Sequence, residues 1–171
     1  MVKELVERFG MEPLPVEATF FAQTYRSAAG AAAGGPAGSA GIGLYCVDPP
    51  SRSLFHRLEF DEVWHFYAGD PLRLVLLHRD GRDEDVLLGD PLAGHRVQHV
   101  VPAGVWQAGE VAPGGRWSLF GCTMAPGFTG SCFEGGRVPE LLRTHPQRAA
   151  DIERLGVPAG EAATMPDGFA A

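Results

Sequence analysis

The 171-residue chain carries 14 basic and 21 acidic side chains, a formal net charge of −7 at pH 7. That length suits one domain with a real core, and the acidic balance creates a field that repels phosphate backbones, which argues against nucleic acid as a partner. No apolar run approaches the roughly 20 residues that span a bilayer, and the amphipathic start lacks the apolar core of a signal peptide, so the expectation is a cytoplasmic protein without membrane contact.

At the N-terminus, "KELVERFG" places Leu5, Val6 and Phe9 at helical spacing, and Gly10 stops the helix as a C-cap. Two prolines in "EPLPVE" prevent its continuation, and "ATFFAQTYRS" reads as a first strand. Residues 28–41, "AAGAAAGGPAGSAG", have almost no side-chain mass to bury and read as an Ala/Gly-rich loop. From Ile42 onward, short apolar segments alternate with Gly, Pro and Asp turns, the pattern of an antiparallel sandwich or barrel. "HRDGRD" carries the Asp-Gly pair of a tight hairpin, and the glycines of "APGGRW" suggest a second one. After Phe133, "PELLRTHPQRAADIERL" turns helical, with Pro146 as a break. Residues 156–171 lack an apolar period and read as a flexible tail. Cys46, Cys122 and Cys132 are odd in number and form no C-x-x-C pair, so they read as small buried side chains rather than a disulfide framework or thiolate zinc site.

The chemistry concentrates in "FHRLEFDEVWHFYAGD", Phe55 to Asp70. Strand alternation without a bulge places His56, Leu58, Phe60, Glu62, Trp64 and Phe66 on one face. His56 and Glu62 then share a cavity walled by Trp64 and Phe66, while His65 points away. His95 and His99 read as surface residues. In "VVPAGVWQAGEV", Pro102-Ala103-Gly104 marks a turn and Gln107 follows three residues after the glycine.

These residues resemble the cupin superfamily. His56, position 58, Glu62 and Gly69 match the first cupin motif, H-x-H-x-x-x-E-x-x-x-x-x-x-G, and Pro102, Gly104 and position 107 match the core of the second, P-x-G-x-x-H. The phrases "DEVWHFYAGDPL", "VVPAGVWQA", "GCTMAPGF" and "TYRS" look more narrowly like the fifth cupin family, first catalogued as a domain of unknown function. The resemblance covers about residues 2 to 155. It implies an all-β fold, the double-stranded β-helix or cupin jelly roll, with short N-terminal and C-terminal helices, a single domain over residues 1–155, a small-molecule pocket in the barrel and commonly a homodimer.

The departures from the family pattern shape the functional expectation. Metal-binding cupins hold a divalent ion with the two histidines and the glutamate of the first motif and the histidine of the second. Here Leu58 and Gln107 stand at two of those four positions. Leucine cannot coordinate, and an amide oxygen binds transition ions more weakly than imidazole does. The resemblance also implies a Pro-Glu-Gly-Gly run and an Arg-Glu pair before "TYRS", where this sequence has Glu17-Ala18-Thr19 and Ala22-Gln23, which points to a changed ligand if that strand lines the pocket.

Three readings follow. In the first, His56 and Glu62 are acid–base residues of an isomerase, epimerase or lyase acting without a cofactor on a carbonyl- or sugar-like molecule, and Gln107 orients the substrate. In that reading Trp64 and Phe66 contact the ligand, and Thr24 and Arg26 stand at the barrel mouth, the guanidinium anchoring an anionic group. The second is a non-catalytic binding protein using the same cavity. The third is a metal-dependent cupin, such as an oxygenase, with a weakly held divalent ion on His56, Glu62 and Gln107.

Overall fold

The apolar segments form strands where alternation and turn chemistry coincide. The computed structural model describes residues 1–170. Helix α1 (Val2–Phe9) ends at Gly10, whose φ of 60° lets its own N–H and that of Met11 return to the carbonyls of Glu7 and Val6. The strands follow as β1 (Glu12–Pro13), β2 (Phe20–Arg26), β3 (Ser39–Cys46), β4 (Ser53–Leu58), β5 (Glu62–Gly69), β6 (Leu72–Leu77), β7 (Asp83–Leu88), β8 (Gln98–Val101), β9 (Trp106–Val111), β10 (Trp117–Met124) and β11 (Phe133–Gly135). Helices α2 (Val138–Thr144) and α3 (Ala149–Leu155) follow, separated by a turn that begins at Pro146.

Two antiparallel sheets result, a six-stranded one in the order β1-β2-β3-β10-β5-β8 and a five-stranded one in the order β11-β4-β9-β6-β7. This is the all-β jelly roll with short terminal helices that the resemblance implies. Among the described residues no helix is long and apolar enough to cross a membrane.

Strand β6, "LRLVLL", shows how the layers are built. Leu72, Leu74 and Leu76 face the barrel interior and join Tyr45, Trp64 and Phe120 in its core. Val75 and Leu77 face outward and pack with Phe55 against Leu141, Ile152 and Leu155 of the two C-terminal helices. Arg73 also faces outward, where its guanidinium meets Asp151 of α3 at 2.8 and 2.9 Å and reaches Asp85 and Glu110 on the neighbouring strands. Its side chain is 17% exposed, so removing it strands several carboxylates in a partly screened site. Arg73→Ala is expected to destabilise the fold by about 2 kcal/mol, between the value of an exposed pair and the cost of breaking a buried one, as read by urea denaturation.

Four expectations need correction. The segment "APGGR" is not a hairpin: β9 and β10 lie in different sheets, so the turn carries the chain across the barrel. The loop 28–41 ends earlier than its composition suggests, because Ser39–Gly41 already belong to β3 and a bridge between Gly30 and Pro36 closes the remainder. A Cβ at Gly41 would fall on the Phe21 ring, so glycine here serves a close strand contact rather than loop mobility. His95 and His99 are half-buried rather than on the surface.

The tail expected over 156–171 is folded against the barrel throughout its described part, with residue 171 lying outside the described residues. Val157 pairs with Gly136, Met165 is buried, and Phe169 packs edge-on against Phe128 with ring centroids 6.3 Å apart. Single apolar anchors hold this segment, which is why no period announced it.

Candidate functional site

The chain turns a corner between β4 and β5. His56 leaves the five-stranded sheet, Glu62 enters the six-stranded one, and residues 59–61 link them. Parity across this break was not guaranteed, yet both side chains line one cavity of about 320 Å³. Trp64 and Phe120 form its boundary with the barrel core, their rings stacked at 4.9 Å between centroids.

The His56 ring is fixed on both sides of its chemistry. It stacks on Phe133 at 5.3 Å, and Nδ1 lies 2.8 Å from the Leu54 carbonyl oxygen. A carbonyl only accepts, so Nδ1 carries the hydrogen and the neutral ring keeps Nε2 as an acceptor. No described residue bonds Nε2, which leaves it to the cavity that His56 lines.

Glu62 is buried and held by Gln107, which Trp64 in turn fixes. Gln107 Nε2 donates to its Oε2 at 2.7 Å, the Trp64 indole N–H donates to Gln107 Oε1 at 2.8 Å, and Cys122 lines the same cavity. Burial pushes the Glu62 carboxyl above the ordinary carboxylate range, the nearby His56 opposes that shift, and Glu17 adds to it. Burial likewise raises the Cys122 thiol well above its usual value, which favours its uncharged form.

A raised carboxyl in the folded state carries a stability consequence of definite sign. Glu62 holds its proton to higher pH when folded than when unfolded, so its contribution is fully present below the unfolded pKa and lost as pH rises through the folded one. Glu62→Gln cannot ionise and escapes that loss. Its melting temperature relative to the unsubstituted protein should therefore climb from pH 4 to pH 8 in scanning calorimetry; a difference that stays flat or falls would rule this out.

Glu17 was noted in the sequence only as a departure from the family pattern, and it proves to be part of the site. Its Oε2 lies 3.6 Å from His56 Nδ1 and 3.5 Å from Thr19 Oγ1, and the side chain is 10% exposed. The loop that presents it is strained: its N–H closes a tight turn onto the Pro15 carbonyl at 2.7 Å, with Val16 at φ 66° and Ala18 at φ 61°. A β-branched residue at positive φ is a genuine outlier that surrounding contacts must enforce. Ala18 occupies a position where the family pattern has glycine, which the left-handed backbone explains. The retained glutamate of that run was the signal in the sequence.

The other expected contacts divide. Trp64 lines the cavity, whereas Phe66 packs into the barrel core away from it. Gln107 does not face the cavity: both ends of its amide are engaged, so it positions Glu62 and Trp64 instead of meeting a ligand. Thr24 is exposed and hydrogen-bonds the Ala40 carbonyl, outside the cavity. Arg26 donates to the carbonyls of Phe128 and Ala170 at 3.2 Å each; its guanidinium ties the tail to the barrel rather than lining the cavity. His65 points away as parity predicts, bonding Thr123 and Gln98 on the outer face. Phe169 and Ala170 of the tail also line the cavity, and no local pattern could have revealed them.

The profile of the family described as Cupin superfamily (DUF985) matches residues 3–135. The chain belongs to this cupin family. Among solved structures, this cupin is similar to a protein from Shewanella oneidensis at 32% identity and a TM-score of 0.82, covering 91% of this chain and 97% of that one. It is also similar to a hypothetical protein from Leishmania major at 28% identity and a TM-score of 0.78, covering 91% and 98%. No curated protein matches it.

The donor set of this cupin does not fit the divalent ion that other cupins hold. Leu58 lines the cavity where a histidine would coordinate, and the Gln107 amide oxygen already accepts from Trp64. His56 and Glu62 remain as two strong donors at the motif positions, fewer than the three protein ligands of a catalytic zinc-type site. Among the described residues no group of three His, Cys, Asp or Glu could hold an ion.

Proposed function

We propose that this cupin binds a small carbonyl-bearing molecule in the barrel and moves a proton on it, with His56 as base and Glu62 as acid. His56 Nε2 accepts a proton from the carbon next to the carbonyl, and the protonated Glu62 carboxyl gives its proton to the carbonyl oxygen, forming an enol. Return of the His56 proton to the neighbouring carbon, with Glu62 taking a proton back from the enol oxygen that becomes the new carbonyl, completes an isomerisation; return to the same carbon gives exchange of its hydrogen with solvent. The observation that carries this reading is the division of roles in one cavity: an imidazole whose Nδ1 is committed to Leu54, leaving Nε2 to the cavity, and a carboxyl whose burial favours its protonated form. Gln107 supports it by orienting the carboxyl.

The test is hydrogen exchange. A panel of small ketones, aldehydes and aldoses is incubated with the protein in deuterium oxide, and loss of the α-proton signal is followed by NMR. At least one compound should exchange about 100-fold faster than in buffer. Exchange at the buffer rate for every compound removes proton transfer and leaves a binding protein.

A further inference from the structure

The ionisable groups that face the cavity are mostly acidic, and with Glu62 protonated the negative charge falls to Glu12 and Glu17. Glu12 at its rim and Glu17 and Glu62 within it contribute carboxyl groups, His56 is the one basic residue, and no lysine or arginine is among the described residues that line it. Arg26 is not among the lining residues, and its guanidinium donates to the Phe128 and Ala170 carbonyls.

Glu17 is the group this arrangement leaves least satisfied. Its carboxylate is nine-tenths buried, and its two polar contacts, at 3.5 and 3.6 Å, lie at or beyond the long limit of a hydrogen bond. The His56 hydrogen that could have served it goes to Leu54 instead. Buried carboxylates are ordinarily paired, and one that is not has a strong attraction for a cation. The remaining wall is aromatic and apolar, with Phe21, Trp64, Phe120, Phe128 and Phe169 presenting rings. Ring faces and a carboxylate together recognise a weakly hydrated positive charge. The volume of about 320 Å³ is at the small end of ligand pockets.

We infer that the cavity takes a small, largely apolar molecule carrying one positively charged nitrogen, its charge seated at Glu17 and its apolar body against Trp64 and the phenylalanines. This deepens the proposed function and rests on the same cavity being the ligand site. A positive nitrogen near the reacting carbon also acidifies its C–H bond, which suits a histidine base. Anionic ligands such as carboxylates and phosphates, which an Arg26 anchor would have favoured, are repelled.

Isothermal titration calorimetry of the full chain near pH 7.5 with benzylammonium, benzyl alcohol and benzoate tests this directly. The three probes share one ring and differ in charge. Benzylammonium should bind at least tenfold more tightly than benzyl alcohol, with no detectable binding of benzoate. Glu17→Gln should weaken benzylammonium at least tenfold while changing benzyl alcohol less than threefold, which shows the cavity intact. Benzoate binding as tightly as benzylammonium, equal affinity for the ammonium and the alcohol, full ammonium affinity in Glu17→Gln, or no binding of any probe would overturn the inference. Binding is read without turnover, so the two proposals fail separately: an ammonium-selective cavity that exchanges no proton removes only the chemistry, and proton exchange without ammonium selectivity removes only the ligand class.

Discussion

His56→Ala is expected to slow proton exchange by about 10²–10⁴-fold, the range that a positioned general base contributes. The ring is 3% exposed and stacked on Phe133, so alanine also leaves a hole in the wall. His56→Gln separates the two effects, since its amide can still donate to the Leu54 carbonyl and fills most of the volume, yet has no basic nitrogen. Both variants should lose exchange to a similar extent, while His56→Gln melts within a few degrees of the unsubstituted protein by circular dichroism. Retention of more than about a third of the rate in folded His56→Gln would show that the base lies elsewhere.

Leu58→His combined with Gln107→His should create a metal site where the present residues do not fit one. His56 and Glu62 already face the cavity, Leu58 lines it, and Gln107, though turned from the cavity, reaches Glu62 at 2.7 Å and lies opposite His56 in the β4–β9 pairing, so a histidine there stands next to both. Four strong donors at the motif positions satisfy a transition ion that two do not. At an ion concentration about 100-fold above Kd, binding to the folded state adds about 2.7 kcal/mol. Nickel or cobalt should therefore raise the melting temperature of the double variant by several degrees and leave that of the unsubstituted protein within about one degree. Without metal the double variant should be less stable by about 1–3 kcal/mol, because the Trp64 N–H and Glu62 lose their shared amide. Equal metal-induced stabilisation of both proteins would refute the donor-set argument.

The same Gln107 explains why reading a site from motif positions has limits. The spacing correctly placed it beside Glu62, but which way an amide faces depends on what else competes for it. Trp64, adjacent to Cys122 across the β5–β10 pairing and to Gln107 across the barrel, takes the oxygen that would otherwise meet a ligand. Arg26 is a comparable case: a strand-end guanidinium serves an anion or serves the protein, and the carbonyls of Phe128 and of Ala170 in the docked tail decided for the protein.

What the sequence determined by itself is local. Turn chemistry at Gly10 and Asp80-Gly81, the helix break at Pro146 and the two-residue alternation within β5 that sends Glu62 and Trp64 inward and His65 outward all follow from interactions within a few residues, so they are readable in order along the chain. The family motifs added which positions matter and showed that Leu58 removes a metal ligand. Only the tertiary structure decided the rest: that β4 and β5 belong to opposite sheets, that Gly41 serves the Phe21 ring, that the tail folds back to wall the cavity, and that the strained turn at Val16–Ala18 carries Glu17 to His56. Glu17 and His56 are 39 positions apart, Phe169 is farther still, and no periodicity encodes contacts that arise when separate segments compete for one interior. The charge of the cavity is therefore a property of the folded chain, set by which side chains the closure of the barrel leaves facing one another.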